Sequence, residues 1–249
     1  MGVILIIFRA VLFVVCTALC ASTALLGGMI LGHQFALRLQ QIWSSGMLKV
    51  FGVNVILHGD KPEVGLLMSN HQSYIDIWII PKYAISVFVA KLEVKKMPLM
   101  GWAASSVNTI YVDRSSKESR AKTKADISNR LKNGRSVIIF PEGTTGEGDG
   151  LLPLKPGMFY TAAEEGFPII PVAIFYENSD LAWVGDDSMG AHFYRNFSKL
   201  STNAHVVFGK PMVGNGDGEE LMERVKNWKL ENLQMLKETY RPELVRSTT

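Results

Sequence analysis

The sequence predicts an α/β protein: a mixed, mostly buried sheet flanked by helices, with an N-terminal apolar membrane helix and an interfacial helix in front of it. Three observations carry this reading. Beyond residue 52, short apolar runs alternate with longer stretches of helical period, the pattern that builds a sheet with helices on its faces. Residues 10–32 form 23 positions without a charge. At 1.5 Å per residue they could cross a hydrocarbon core about 30 Å thick. Finally, two polar clusters, residues 70–76 and 140–146, each follow a strand-like run directly, and strand ends are where open sheets expose chemistry.

At 249 residues and 47% apolar composition, the chain can form one sizeable α/β domain, expected over 52–249, behind a membrane-anchoring helical segment over 1–51. A net charge of +3, with no basic stretch interleaved with aromatics, offers no nucleic-acid surface. Cys16 and Cys20 are the only cysteines and lie at helical spacing inside the apolar segment, where packing explains them. No disulfide framework, thiol nucleophile or metal-ligand spacing is indicated, so no metal is expected.

Taken in order, residues 1–32 are apolar except for Arg9 and a few small polar residues. A cleaved signal peptide is the rival reading, since 20–24 are small, but the apolar run continues through Leu25, Leu26, Met29, Ile30 and Leu31. Arg9 on one flank and Arg38 with Lys49 on the other leave sidedness open, and the segment either crosses the membrane or turns back. Residues 33–51 mix Phe35, Leu37, Ile42, Trp43 and Leu48 with polar residues, which suits a helix at the membrane interface or one packed on the sheet.

Strands are expected at 53–57, 64–68, 86–90, 109–112, 136–140, 169–175 and 205–208. Helices are expected at 74–80, stopped by Pro81, and at 98–106, 117–133, 159–165 and 219–240. Ser115 and Glu118 form a capping box for the third of these, and Gly134 supplies its stop. Residues 181–200 carry Trp183, Phe193, Tyr194 and Phe197 without a clear period. They read as a loop facing membrane or substrate, or as packing under the domain.

In the first polar cluster His71 and Asp76 stand five residues apart. On one helix they would point about 140° from each other. They can meet only across a turn, with Asp76 at the head of a helix reaching back. An imidazole held by a carboxylate is a general base able to deprotonate a hydroxyl. A lone His reads more simply as a capping or core residue, and the second cluster is what turns the reading toward a site. There Glu142 and Gly143 make a tight turn that brings backbone close to a ligand. Lys91 and Arg114, each just after a strand, could converge on the same edge and hold a phosphate. No G-x-S-x-G elbow occurs, which disfavours a serine acyl-enzyme.

Asn70-His71 with Asp76, and Phe140-Pro141-Glu142-Gly143-Thr144, resemble the two signature blocks of the 1-acyl-sn-glycerol-3-phosphate acyltransferases, within the glycerolipid acyltransferase family. Residues 108–114 resemble its middle block and 167–172 its last, so four blocks in the family's order cover roughly 65–175. The resemblance implies acyl transfer from acyl-CoA or acyl carrier protein to the sn-2 hydroxyl of lysophosphatidic acid. No cofactor is implied beyond the acyl donor. His71 and Asp76 would be catalytic, and Lys91, Arg114, Glu142, Gly143 and Thr144 would bind substrate. The expected setting is the inner membrane, with the active site on the cytoplasmic side. The chain departs from the family's commonest pattern at Thr145 and Gly146, where many members have Arg and Ser, and Lys155 is the candidate for the missing charge. That departure keeps another lysolipid, such as lyso-ornithine lipid, open as acceptor. A non-enzymatic membrane scaffold is the alternative of a different class.

Overall fold

The computed structural model describes residues 2–148, 150–185 and 187–243. Two helices open the chain, α1 (Gly2–Leu31) and α2 (His33–Val50). They are joined at Gly32, whose φ of 86° only a glycine adopts without strain. They run antiparallel, as shown by Cys20 donating to Leu39 O at 3.6 Å and Trp43 Nε1 to Thr17 Oγ1 at 3.1 Å. The inward positions of α1 include the small residues Thr17, Ala21 and Ala24, which let α2 approach closely. Its other face leaves Ile4, Leu19, Leu26, Met29 and Ile30 exposed. By length and hydropathy α1 can cross a membrane.

The α/β elements follow in order. They are β1 (Val53–His58), β2 (Leu66–Ser69), α3 (Asp76–Tyr83), β3 (Ser86–Lys91), α4 (Met100–Ser106), β4 (Ile110–Val112), α5 (Lys117–Lys132), β5 (Ser136–Ile139), α6 (Gly157–Glu165), β6 (Ile169–Tyr176), α7 (Met189–Phe197), β7 (Thr202–Phe208) and α8 (Gly218–Tyr240). The strands form one sheet in the order β1-β7-β6-β2-β5-β3-β4. Neighbours are parallel except β6 and β7, so β1 and β7 run against the other five.

Both faces are covered, which is why the central strands run apolar on both faces, with Ser69 and Ser136 at strand ends, rather than at alternate positions. Leu67, Ile138, Ile170, Val172 and Ile174 pack on one side with Met47, Leu48 and Phe51 of the hairpin end and Trp78 and Ile79 of α3. Leu66, Met68, Val137, Ile139 and Ile169 pack on the other with Ile127, Phe159, Ala162 and Leu221 from α5, α6 and α8. The alternation along each strand assigns successive residues to opposite faces.

Three local expectations shift. Pro81 does not stop its helix but sits inside α3, which runs on to Tyr83 and closes with Ala84 N–H on Ile80 O at 3.1 Å. So near the end of a helix, proline forfeits only one ladder bond. The cap of α5 is Ser116, whose hydroxyl accepts from Ser119 N at 3.1 Å. Ser115 is already engaged, its N–H and hydroxyl both donating to Asp113 Oδ1. Residues 189–197, read as irregular, are the helix α7.

Candidate active site

The register of the sheet explains why the two polar clusters meet. β2 and β5 are adjacent and parallel, with Met68 beside Ile139. His71 and Glu142 each lie three residues beyond that pair, so they leave the same edge at the same height. Their meeting is direct: His71 N–H donates to Glu142 Oε1 at 3.2 Å. On the far side of β2, Asn70 behaves as an extra strand residue toward β6. Its side-chain amide donates to Ile174 O at 2.9 Å and its Oδ1 accepts from Ile174 N at 2.8 Å. Two backbone bonds then brace the loop, Gly146 N to His71 O and Trp183 N to Gln72 O, each 2.8 Å.

Asp76 is the first residue of α3 and is fully buried. Its Oδ2 lies 2.7 Å from His71 Nδ1 and also accepts from Gln72 N at 2.8 Å and Ser73 N at 3.0 Å. Its Oδ1 accepts from Tyr176 Oη at 2.5 Å. A carboxylate so supplied with donors only accepts, so Nδ1 carries the imidazole proton and Nε2 carries the lone pair. The ring lies flat on Phe140, centroids 4.0 Å apart and planes 18° apart, with the side chain 21% exposed. The expected contact across a turn is therefore present, and the free nitrogen belongs to a group that can accept a proton from a bound hydroxyl.

The structure separates the remaining candidates. Glu142 is buried and its carboxylate turns inward, holding His71 N–H and Leu152 N–H, the latter at 3.2 Å. Burial pushes its acid up from the ordinary carboxylate range. The N–H of Gly143 closes the turn on Phe140 O at 3.0 Å, so the turn does not offer that amide to a ligand. What it gathers instead is cations. Arg114 donates to Gly143 O, and a methyl built on Gly143 would lie 2.6 Å from Lys155 Nζ and 3.4 Å from Arg114 Nη1. Lys91 pairs in register with Val112, two residues before Arg114, and is exposed. Thr144 is exposed at the same turn. Thr145 is tied by its hydroxyl to Trp183 O and brings no charge. Among the described residues no group of three His, Cys, Asp or Glu could hold a metal ion.

Three contributors had only faint marks in the sequence. Tyr176 ends an otherwise apolar strand as its one hydroxyl-bearing residue. Lys229 stands where the four-residue stripe Leu221, Val225, Leu233 calls for an apolar side chain. It is fully buried, its Nζ has no hydrogen-bond partner among the described residues, and Glu142 is its charged neighbour. Arg9 is the single charge in the apolar run and binds three carbonyls at the end of α7, Phe197 O at 2.8 Å, Lys199 O at 2.6 Å and Leu200 O at 2.8 Å. The cavity of about 270 Å³ bounded by His58, Lys61, Lys210 and Trp228 lies by β1, β7 and α8, which carry none of the site residues singled out from the sequence.

A family model described as Acyltransferase matches residues 55–175. The chain is 30% identical over 185 residues to the lyso-ornithine lipid O-acyltransferase of Pseudomonas aeruginosa, covering 72% of this chain and 71% of that one. It is 32% identical over 117 residues to the 1-acyl-sn-glycerol-3-phosphate acyltransferase of Neisseria gonorrhoeae, covering 47% and 46%. The crystal structure of the 1-acyl-sn-glycerophosphate acyltransferase PlsC of Thermotoga maritima has the same fold, with a TM-score of 0.65 and 22% identity over 95% of this chain and 98% of that one. The exposed apolar face of α1 and the lipid chemistry of these relatives point to membrane association. With a matching family model, relatives aligned well beyond the site, and a common fold, the chain belongs to the glycerolipid acyltransferase family and is an acyltransferase.

Proposed function

We propose that the chain moves a fatty acyl group from an acyl thioester, acyl-CoA or acyl carrier protein, to the sn-2 hydroxyl of lysophosphatidic acid, giving phosphatidic acid. The observation that carries this reading is the His71–Asp76 contact at 2.7 Å beside the cations gathered at Gly143. His71 Nε2 takes the hydroxyl proton as the oxygen attacks the thioester carbonyl. The tetrahedral intermediate expels the thiolate, and the imidazolium returns the proton to it. Asp76 fixes the tautomer and balances the imidazolium charge. Arg114 and Lys155, with Lys91 from the end of the neighbouring strand β3, hold the acceptor phosphate. Glu142 acts from behind, holding the backbone of His71, and Thr144 lies at the mouth. The apolar face of α1 keeps the protein at the inner membrane, with the site on the cytoplasmic side where thioester donors are supplied.

A second acceptor, lyso-ornithine lipid, is favoured by one observation: Thr145 stands where many family members have Arg and gives its hydroxyl to Trp183 O, so the headgroup site is one cation poorer than that pattern. The relative from Pseudomonas aeruginosa carries that name. The chemistry at His71 would be unchanged.

The test is an assay of purified protein in lipid vesicles, with labelled acyl-CoA or acyl carrier protein and either lysolipid. Lysophosphatidic acid should be converted, with a loss of roughly 10²- to 10⁴-fold in His71→Ala that retains its fold. Preference for lyso-ornithine lipid moves the assignment to the second acceptor. Undiminished transfer by His71→Ala ends the mechanism.

A further inference from the structure

We propose that Tyr176 is a positioning residue for acyl transfer: its hydroxyl holds the second oxygen of Asp76, so that the carboxylate keeps the imidazole in place and shares its charge between two partners. This rests on the reading of His71 as the base.

The placement follows from the strand. β6 runs past the end of β2, and its Val172, Ile174 and Tyr176 share the face that meets α3. Asn70 clamps Ile174 by two hydrogen bonds, which fixes the level of the strand against the loop that carries His71. Two residues on, Tyr176 arrives beneath Asp76 with 1% of its surface exposed, and its Oη lies 2.5 Å from Oδ1. Asp76 itself has no exposure.

The two oxygens of Asp76 are not equivalent. Oδ2 is shared by His71 Nδ1 and two backbone N–H groups, whereas Tyr176 is the partner that Oδ1 has among the described residues. Removing the hydroxyl would leave a bare carboxylate oxygen in a dry site, so that Oδ2 alone, on His71 and the two backbone N–H groups, sets the orientation of the carboxylate. The same hydroxyl draws charge from the carboxylate. Without it, more of that charge faces His71 and the protonated ring is held more strongly. Burial and the neighbouring carboxylate push the Tyr176 hydroxyl well above its usual range, so it stays a donor across the working pH.

The other titratable or charged groups around the pair come from each element packed on it. They are Tyr74 on the same loop, bonded to His192 of α7 at 3.0 Å, with Asp187 and Arg195 acting on Tyr74. Glu142 lies on the β5 side with Lys229 of α8 behind it. Tyr74 acts on Tyr176 through space, but among the described residues none of these is hydrogen-bonded to Asp76, so a change confined to position 176 reads out the bond to Oδ1.

The experiment compares Tyr176→Phe, His71→Ala and wild type in the vesicle assay across pH 5–9, with a thermal melt of each. Tyr176→Phe should lose roughly tenfold to a hundredfold in kcat, with KM for both substrates unchanged. The acid limb of its rate profile should move up by about one pH unit, the scale of one hydrogen bond to a charged group. Should Tyr176→Phe fail to fold, ring-fluorinated tyrosine at position 176 keeps shape and hydroxyl while making it a stronger donor, and should move the same limb to lower pH. A wild-type profile and kcat in either form, with His71→Ala inactive, overturns the role of Tyr176 alone. Retained transfer by His71→Ala overturns both this role and the reading beneath it.

Discussion

Gly143→Ala separates the binding of the acceptor headgroup from the chemistry. The backbone at Gly143 has φ of 78°, and an L-residue there costs about 1–2 kcal/mol. The added methyl would lie 2.6 Å from Lys155 Nζ and 2.9 Å from its Cε. Those atoms end a flexible, exposed side chain, so they swing aside and the fold bears only the backbone strain. For a protein of this size that corresponds to a fall of about 2–8 °C in Tm. The headgroup bears a larger effect. Losing one charge-assisted contact to the acceptor amounts to about 1.5–3 kcal/mol, or roughly tenfold to a hundredfold in KM for the lysolipid. The His71–Asp76 pair lies outside the displaced atoms, so kcat should change far less. The assay is steady-state kinetics in mixed vesicles alongside a melting curve, with Lys155→Ala as companion. That companion should reproduce the rise in KM without the fall in Tm. An unchanged KM in both variants would show that Lys155 does not hold the headgroup, and the cation account of the Gly143 turn would fail.

Other expectations follow from the same structure. Arg9→Leu strips three carbonyls at the end of α7 of their charged donor, a loss of several kcal/mol in docking the start of α1. Amides near residues 197–202 should exchange with deuterium at least tenfold faster, and unchanged protection would refute the anchor. Lys229→Met probes a buried ammonium that burial pushes down to about 7. The unfolded chain keeps that proton to higher pH, so the wild type gains stability as pH rises from about 7 toward 10.5, and the Met variant lacks this gain. Its advantage in denaturant unfolding should therefore shrink by about 1.4 kcal/mol per pH unit across that window. Parallel curves would show that the lysine is not held in the dry interior.

Much of the site was legible because its parts are local to strand ends. A polar heptad after an apolar run marks a loop leaving a buried strand, and two such loops suggested one edge. What the sequence could not supply was the pairing of strands, since Met68 beside Ile139 is a long-range fact, and with it the shared height of His71 and Glu142. α7 escaped notice because its buried positions include His192 and Asn196, which break the apolar period while bonding to Tyr74 and to Asp180 O. Glu142 turns inward rather than toward substrate, on two backbone donors, Leu152 ten residues on and His71 71 residues back, and the second of these no local pattern announces. The capping serine moved by one place because Asp113 competes for Ser115, a contest between two equally good local bonds.

The N-terminal hairpin has a consequence for how the substrates arrive. The start of α1 is fastened at Leu200, next to the edge strand β1 and its neighbour β7, and His33, two residues past its far end, bonds Asn108 just before β4 at 3.1 Å. The helix thus spans the breadth of the sheet rather than standing off it as a stalk. Wherever its greasy face settles, the whole body settles too. Encounter with a lysolipid then becomes a two-dimensional search within one leaflet, governed by surface mole fraction rather than by bulk concentration.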